Sequence, residues 1–355
     1  MNPYESLPPE AFWSSAVARR SMLDIADLWT SPFPISRETR ISTYGSCFAQ
    51  HFSRALRSRG YTWLNAELAP SGLSGEGALR FNYGVFSSRT GNIYTASLLL
   101  QWCEWALGSA PVPSSFWTRG GRIFDPFRPN IEPDGFGSVE EMLASRAHAI
   151  SALRKSLLGC DLLVFTLGLT ESWWDVRDKV EYATCPGTRA GQFDSGQHQF
   201  LNQDYGFVRD RLEKAISLLR QVRGDQLPVL LTVSPVPLVA TNSGNHVLVA
   251  TTGSKAVLRA VAGDVASKVA AVSYFPSYEI ISSPVFKGAF FDDNLRTVSR
   301  RGVAHVMDCF FAGLGQGSAG LASATAEAGT VDHAAPSDED VLCDEELLAA
   351  FGPRK

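Results

Sequence analysis

Short runs of apolar, β-branched residues, separated by stretches of helical period, set the frame of this chain. Asp161-Leu-Leu-Val-Phe-Thr-Leu167, Pro228-Val-Leu-Leu-Thr-Val233 and Val272-Ser-Tyr-Phe275 are each of strand length, and each follows a helical pattern. Ile41 to Tyr44 reads as an earlier strand, and Tyr61 to Leu64 as a second one after it. Between those two, Phe48, Phe52, Ala55 and Leu56 fall at i, i+4, i+7 and i+8 and end at Gly60, where a left-handed helix cap is wanted. Further helices are expected over 95–107, 204–222, 254–269 and 299–311. Ser138-Val-Glu-Glu141 is a capping box that opens another, running to about Leu158. Continuous apolar strands alternating with helices predict an α/β fold whose parallel sheet is covered on both faces. In such sheets ligands bind beyond the carboxyl ends of the strands, where the strand order reverses.

Composition divides the chain into three parts. Residues 1–39, rich in Pro, Ser and aromatics, are expected to form an irregular arm packed on the body. Residues 40–313 are the body, with a helical insertion over about 66–158. Residues 314–355 turn to Gly, Ala, Ser, Thr and acids, which repay little of the entropy of ordering, so a disordered acidic tail is expected. Within it Val341, Leu342, Leu347, Leu348 and Phe351 are spaced for a short amphipathic helix. The net charge of −4 is uneven, because the tail holds eight acids against two bases and leaves the body at about +2.

These numbers exclude several classes. No basic stripe interleaves with aromatics, so no nucleic-acid partner is expected. No window approaches 18 apolar residues, so no transmembrane segment is expected. The first residues lack the basic and apolar regions of a secretory signal. Six scattered cysteines, with no Cys-x-x-Cys pair and no histidine at zinc-ligand spacing, point to reduced thiols, a cytoplasmic location, and neither metal nor cofactor. No oligomeric state follows from the pattern.

The candidate chemistry begins at Gly45-Ser46. Gly45 permits a sharp turn after the first strand, and Ser46 then lies at the start of a helix, where free N–H groups favour developing negative charge. That is a common setting for an acyl-transfer nucleophile, and equally for a plain N-cap. Cys47 is expected to point into the core, and His51 to pack on the apolar face of the helix. Polar clusters follow the other strands: Arg80 to Thr95, Gly168-Leu-Thr-Glu171, Ser234-Pro-Val-Pro237 and Pro276-Ser-Tyr-Glu279. Trp173 and Trp174 are candidates either for stacking on a sugar or for core packing.

Gly45-Ser-Cys-Phe-Ala49 spells the signature of the GSCFA family. Asn82-Tyr-Gly-Val-Phe-Ser87, Gly91-Asn-Ile-Tyr-Thr95, Asp125-Pro-Phe-Arg-Pro129, Phe165-Thr-Leu-Gly-Leu-Thr-Glu171, Cys185-Pro-Gly187, Thr232-Val-Ser-Pro-Val-Pro237, Ser254-Lys255 and Tyr274-Phe-Pro-Ser-Tyr-Glu279 are similar to that family's other blocks, in order over about 2–311. The family resembles a branch of the SGNH/GDSL hydrolases. The resemblance implies a three-layer α/β/α sandwich with a mainly parallel, flavodoxin-like sheet, and a serine that cleaves or transfers acyl groups, often O-acetyl groups of carbohydrates. It places Ser46 as nucleophile and Gly168-Leu-Thr-Glu171 in the block whose Asn donates to the oxyanion. Here Thr170 stands in that Asn's place, with Gly84 a candidate backbone donor and Asn82 a candidate side-chain donor.

The chain departs from the superfamily at its end. Where Asp-x-x-His is expected, Phe291-Asp-Asp-Asn-Leu-Arg-Thr-Val-Ser299 holds no histidine, and His305 falls inside a helix pattern, expected at its surface. The base must come from elsewhere. His246, in the Gly/Asn-rich loop after Pro237, is the preferred candidate and His198 the other. Asp293 and Asp292 are candidates either to steady an imidazole or to be solvated turn residues, and Glu171 to orient a base, polarise Thr170 or cap a helix. Three functions are compatible with these residues: a serine esterase or O-acetyl-transferring enzyme acting on a glycan or small ester, a glycan-binding or scaffolding protein that kept the cleft without the base, and a transferase using an activated donor.

Overall fold

The apolar runs become strands where their patterning places them. In the computed structural model, which describes residues 2–73, 75–315 and 344–352, the body opens with β1 (Ile41–Gly45) and α1 (Ala49–Ser58). Then come α2 (Gly75–Arg80), α3 (Ala96–Leu107), a hairpin of β2 (Trp117–Arg119) and β3 (Arg122–Phe124), and α4 (Val139–Gly159). β4 (Leu162–Leu167) is followed by β5 (Glu171–Asp175), β6 (Val180–Tyr182) and β7 (His198–Asn202). α5 (Tyr205–Arg223), β8 (Val229–Val233), α6 (Val247–Lys268), β9 (Val272–Phe275), α7 (Ser277–Ser282) and α8 (Arg300–Ala312) complete the chain order. Among the described residues, 36–274 and 344–352 belong to one compact unit, and 2–35 and 275–315 to another.

The central sheet is parallel, four-stranded and ordered β1-β4-β8-β9, with helices flanking it as a three-layer α/β/α sandwich. Every residue of β1, β4 and β8 is buried, as a sheet covered on both faces requires. The expected strand at Tyr61 to Leu64 contracts to a single parallel bridge, Trp63 to Ile41, on the outer side of β1. Counting that bridge, the chain order across the sheet is second, first, third, fourth, fifth. The order therefore reverses between β1 and β4, whose ends carry Gly45-Ser46 and Gly168.

Helix boundaries follow local chemistry. Thr95, Ser138, Asp204 and Ser299 each accept a hydrogen bond from a backbone N–H of the helix they precede. Glu141 completes the expected capping box one residue early, accepting from the Gly137 N–H at 2.8 Å. α6 starts two turns before Ser254, at Val247, with His246 as its N-cap. The antiparallel sheet β6-β5-β7 is not among the expected elements, because none of its strands carries a continuous apolar run.

In the second unit Trp29 stacks on Phe310 at 5.5 Å and meets Phe275 edge-on, and the Ser31 N–H donates to the Gly313 carbonyl. His305, expected at the surface, is half-buried and stacked on Phe290 at 4.7 Å; burial lowers its pKa. Of the expected tail, residues 316–343 and 353–355 lie outside the described residues. Asp344–Phe351 forms a 3-10 helix rather than an unstructured end.

The pairing of β1 with β4 depends on Gly45. Its φ is +137°, and a Cβ there would lie 2.4 Å from the Thr166 carbonyl oxygen, a backbone atom with no freedom to retreat. Gly91 also has positive φ (+68°), but a Cβ there would meet nothing within 4 Å. Gly45→Ala is therefore expected to cost about 3 kcal/mol or more, overpacking added to backbone strain, and Gly91→Ala only about 1. Urea titrations of the two variants check this; equal midpoints would show that the close approach is not a constraint.

Candidate active site

The reversal of strand order brings three backbone segments together. Gly45 pairs with Thr166, and the Ser46 N–H donates to the Thr166 carbonyl at 3.1 Å. The segment Gly91–Thr95 is laid across both strand ends. Its Ile93 N–H donates to the Gly45 carbonyl (2.8 Å), and its Tyr94 carbonyl accepts from the N–H groups of Gly168 (2.8 Å) and Leu169 (3.1 Å). Gly168 must lack a side chain, since a Cβ would sit 2.8 Å from the Ser46 Cβ and 3.2 Å from the Tyr94 carbonyl oxygen.

Ser46 is 2 % exposed, and its hydroxyl has no hydrogen-bond partner. It is not an N-cap: Ser46 to Phe48 form a turn, α1 begins at Ala49, and no side chain caps it. A buried hydroxyl that satisfies nothing in the fold is uncommon and calls for an explanation. The uncapped start of α1, three residues away, adds the partial positive charge of a helix N-terminus. The Thr166 hydroxyl, also buried, has no partner either. Cys47 is buried in the core, as expected.

Helix α6 clamps the turn after β4. Ser254 Oγ accepts from the Thr170 N–H at 3.2 Å, and Lys255 Nζ donates to the Gly168 carbonyl at 2.7 Å. Lys255 is 1 % exposed, so its amino group is sealed against the Gly168 turn, at the Gly168–Ser46 contact. In the sequence Lys255 belongs to the Ser254-Lys255 block. Its signal is a lysine three and seven residues before the buried Leu258 and Ala262, on a core-facing stripe where lysine is almost never found unpaired.

The other expected site residues have definite places. The Thr170 hydroxyl donates to Asn202 Oδ1 at 2.7 Å, so its proton is already committed. Asn82, with φ of +60°, donates its amide to the Asn130 carbonyl at 3.2 Å. Gly84 lies against Arg57, in the last turn of α1, the end away from Ser46. Glu171 holds the loop ahead of α6, accepting from the Thr241 hydroxyl and from the Asn242 N–H at 3.1 Å. His246 ends that loop, exposed, with Nδ1 accepting from the Leu248 N–H at 3.2 Å, which leaves Nε2 for other work. His198 lies on β7, its Nδ1 accepting from the Asp194 N–H at 3.0 Å and its ring beside Tyr182 and Phe193. Neither imidazole is bonded to Ser46 Oγ. Asp293 is an exposed residue of a turn in the other unit, beside Asp292, whose N–H donates to the Thr297 carbonyl. Trp173 packs on Phe193 and Phe200, and Trp174 donates its indole N–H to Ser172.

A polar cradle that the sequence reading missed adjoins these groups. Asn92 Nδ2 donates to Asp344 Oδ2 at 2.8 Å, Asn130 Nδ2 donates to Oδ1, and the Asp344 N–H donates to the Tyr94 hydroxyl at 3.0 Å. Asn130 is presented by the loop after β3, which Asp125 organises. Asp125 is buried and accepts from Arg128 (2.9 Å), Arg146 (2.9 Å) and the Phe127 N–H (3.0 Å). Burial pushes its carboxyl up, but Arg146 and Arg128 outweigh that and hold it below the usual carboxylate range. Among the described residues no group of three or more His, Cys, Asp or Glu side chains converges as a metal site would. No helix there is long and apolar enough to cross a membrane.

A second layer supports the turn after β4. The Gln203 N–H donates to the Thr170 carbonyl (2.8 Å), and its side chain donates to Ser97 (2.7 Å) and Ser172 (3.0 Å). Ser97 and Thr95 in turn donate to Glu181. Burial pushes the Glu181 carboxyl up to about 7, against the pull of those two hydroxyls. A carboxyl raised in the folded state stabilises it fully below the unfolded pKa, near 4.3, and that stability is lost as pH rises through about 7. Between pH 5 and pH 8 the urea midpoint should fall in the wild type and fall less in Glu181→Gln. The same fall in both would show that ionising Glu181 carries no cost.

A family model described as the GSCFA family matches residues 40–310. No curated protein matches the chain.

Proposed function

The chain belongs to the GSCFA family, and from its geometry we propose that it is a serine-dependent esterase or O-acetyl-transferring enzyme acting on acyl esters of glycans. The observation that carries the reading is the buried, unpartnered Ser46 hydroxyl at the reversal of strand order, between an uncapped helix start and the Gly168 turn. In the proposed reaction Ser46 Oγ attacks the ester carbonyl, the acyl group passes to the serine, and the sugar alcohol leaves with the proton. Water or a second alcohol then takes the acyl group. His246 is the proposed base, acting through Nε2, with Glu171 holding its loop. His198 is the alternative. Lys255 adds positive charge behind Gly168, where it favours the negative charge of the tetrahedral intermediate. Sugar chemistry is supported by the SGNH/GDSL resemblance and by the half-exposed rings of Trp173, Phe193 and Phe200.

One observation favours a second reading. Ser46 Oγ is closed off and touches no imidazole, as in a protein that binds glycans without cleaving them.

Ser46→Ala removes no hydrogen bond, so its stability should stay within about 0.5 kcal/mol of the wild type. Its kcat/KM on 4-nitrophenyl acetate and on acetylated oligosaccharides should fall by about 10³ or more. His246→Ala should lower kcat by roughly 10² to 10⁴. Steady-state kinetics decide: full activity in Ser46→Ala excludes the serine mechanism, and full activity in His246→Ala clears that histidine. Binding of acetylated oligosaccharide with no turnover supports the second reading.

A further inference from the structure

Asp344 stands far along the chain from the residues that hold it, yet it is 5 % exposed and fills a prepared place. The cradle is oriented without it. Gln50, in the first turn of α1, donates to Asn92 Oδ1 at 3.3 Å, which turns the Asn92 amide nitrogen toward the Asp344 carboxyl. Asn82 holds the Asn130 backbone through its carbonyl. Asn92 and Tyr94 lie two apart on the segment that crosses the ends of β1 and β4, so their side chains share one side of it. That segment also bonds to Gly45 and supports Gly168, so the cradle and Ser46 share one piece of backbone.

The anchor is narrow. Among the rest of the helix, Leu347 and Leu348 are half-buried and Ala349, Ala350 and Phe351 are exposed, Phe351 by 69 %. Among the described side chains of the segment Asp344 is the one that is buried, and it is held through both carboxyl oxygens and its N–H. It is held by neutral donors, because Arg128, which lines the same pocket, is bonded to Asp125. A buried carboxylate without a cation gives up hydration that carboxamides only partly restore, and burial raises the Asp344 pKa accordingly.

We propose that the Asn92–Asn130–Tyr94 cradle is a ligand subsite for a carboxyl-bearing molecule beside Ser46, and that this chain's own segment Asp344–Phe351 occupies it as a displaceable internal competitor. Two carboxamide N–H groups directed at the two oxygens of one planar carboxyl group define the ligand class. The proposal concerns binding alone and stands or falls separately from the chemistry at Ser46.

The test uses full-length protein and an N-acetylated, dye-labelled peptide of sequence Asp344–Gly352, read by fluorescence anisotropy. Asp344→Ala empties the cradle in the chain and should bind the peptide at least about tenfold more tightly than the wild type, where the tethered segment competes at high effective concentration. Adding Asn130→Ala to that variant should weaken the peptide by about tenfold or more, the usual effect of removing a hydrogen bond to a charged group. Sodium glucuronate should displace the peptide and methyl glucoside should not. Equal binding by wild type and Asp344→Ala, or no binding by an Asp344→Ala protein of wild-type melting temperature, overturns the proposal. Displacement by both sugars, or by neither, overturns the carboxyl subsite.

Discussion

The structure turns on how closely β1 approaches β4 at their carboxyl ends. Gly45 faces Thr166 with no room for a methyl group, and Gly168 faces Ser46 in the same way. These two contacts bring the first turn of one crossover within reach of the turn that follows the next strand. Tyr94 then ties the ends together through its carbonyl, and α6 fastens the far side through Ser254 and Lys255. Ser46 is left in the middle with its backbone fully used and its hydroxyl unused. Of the hydroxyls near it, Thr166 is likewise without a partner, while Thr170 bonds Asn202, Thr95 and Ser97 bond Glu181, and Ser254 accepts the Thr170 N–H.

Much of this was legible in the residues. Buried parallel strands need continuous apolar runs, so the segments from Leu162, Val229 and Val272 declared themselves, and four helix starts were written in Thr95, Ser138, Asp204 and Ser299. Gly45-Ser46 stood out as a turn between a strand and a helix, though the residues alone left nucleophile and N-cap both open. What escaped detection was set by contacts distant in sequence. Nothing local distinguishes Asn92 from any loop asparagine; its role depends on Gln50 behind it and Asp344 ahead of it. The α6 start was misjudged because Val247 to Thr252 has no sharp apolar face. The strands β5 to β7 were hidden because none of them carries a continuous apolar run.

The C-terminal segment changes the meaning of the acidic tail. An acidic, aromatic-poor sequence reads as solvated, and that holds for composition but not for one residue of it. A single carboxyl, placed where two carboxamides already point, docks a helix whose outer face stays in water. The same cradle geometry that accepts Asp344 stands one backbone segment from Ser46. Asn92 and Tyr94 of that cradle belong to the Gly91–Thr95 segment, which also bonds to Gly45 and Gly168.

The central claim is that the Ser46 hydroxyl is unspent because it reacts. Incubation of the full-length protein with a small fluorophosphonate, followed by peptide mapping of the adduct by mass spectrometry, tests it most directly. The account predicts one phosphonylated residue, Ser46, and no adduct after Ser46→Ala. A folded protein that takes up no label, or takes it up on another residue, would contradict it.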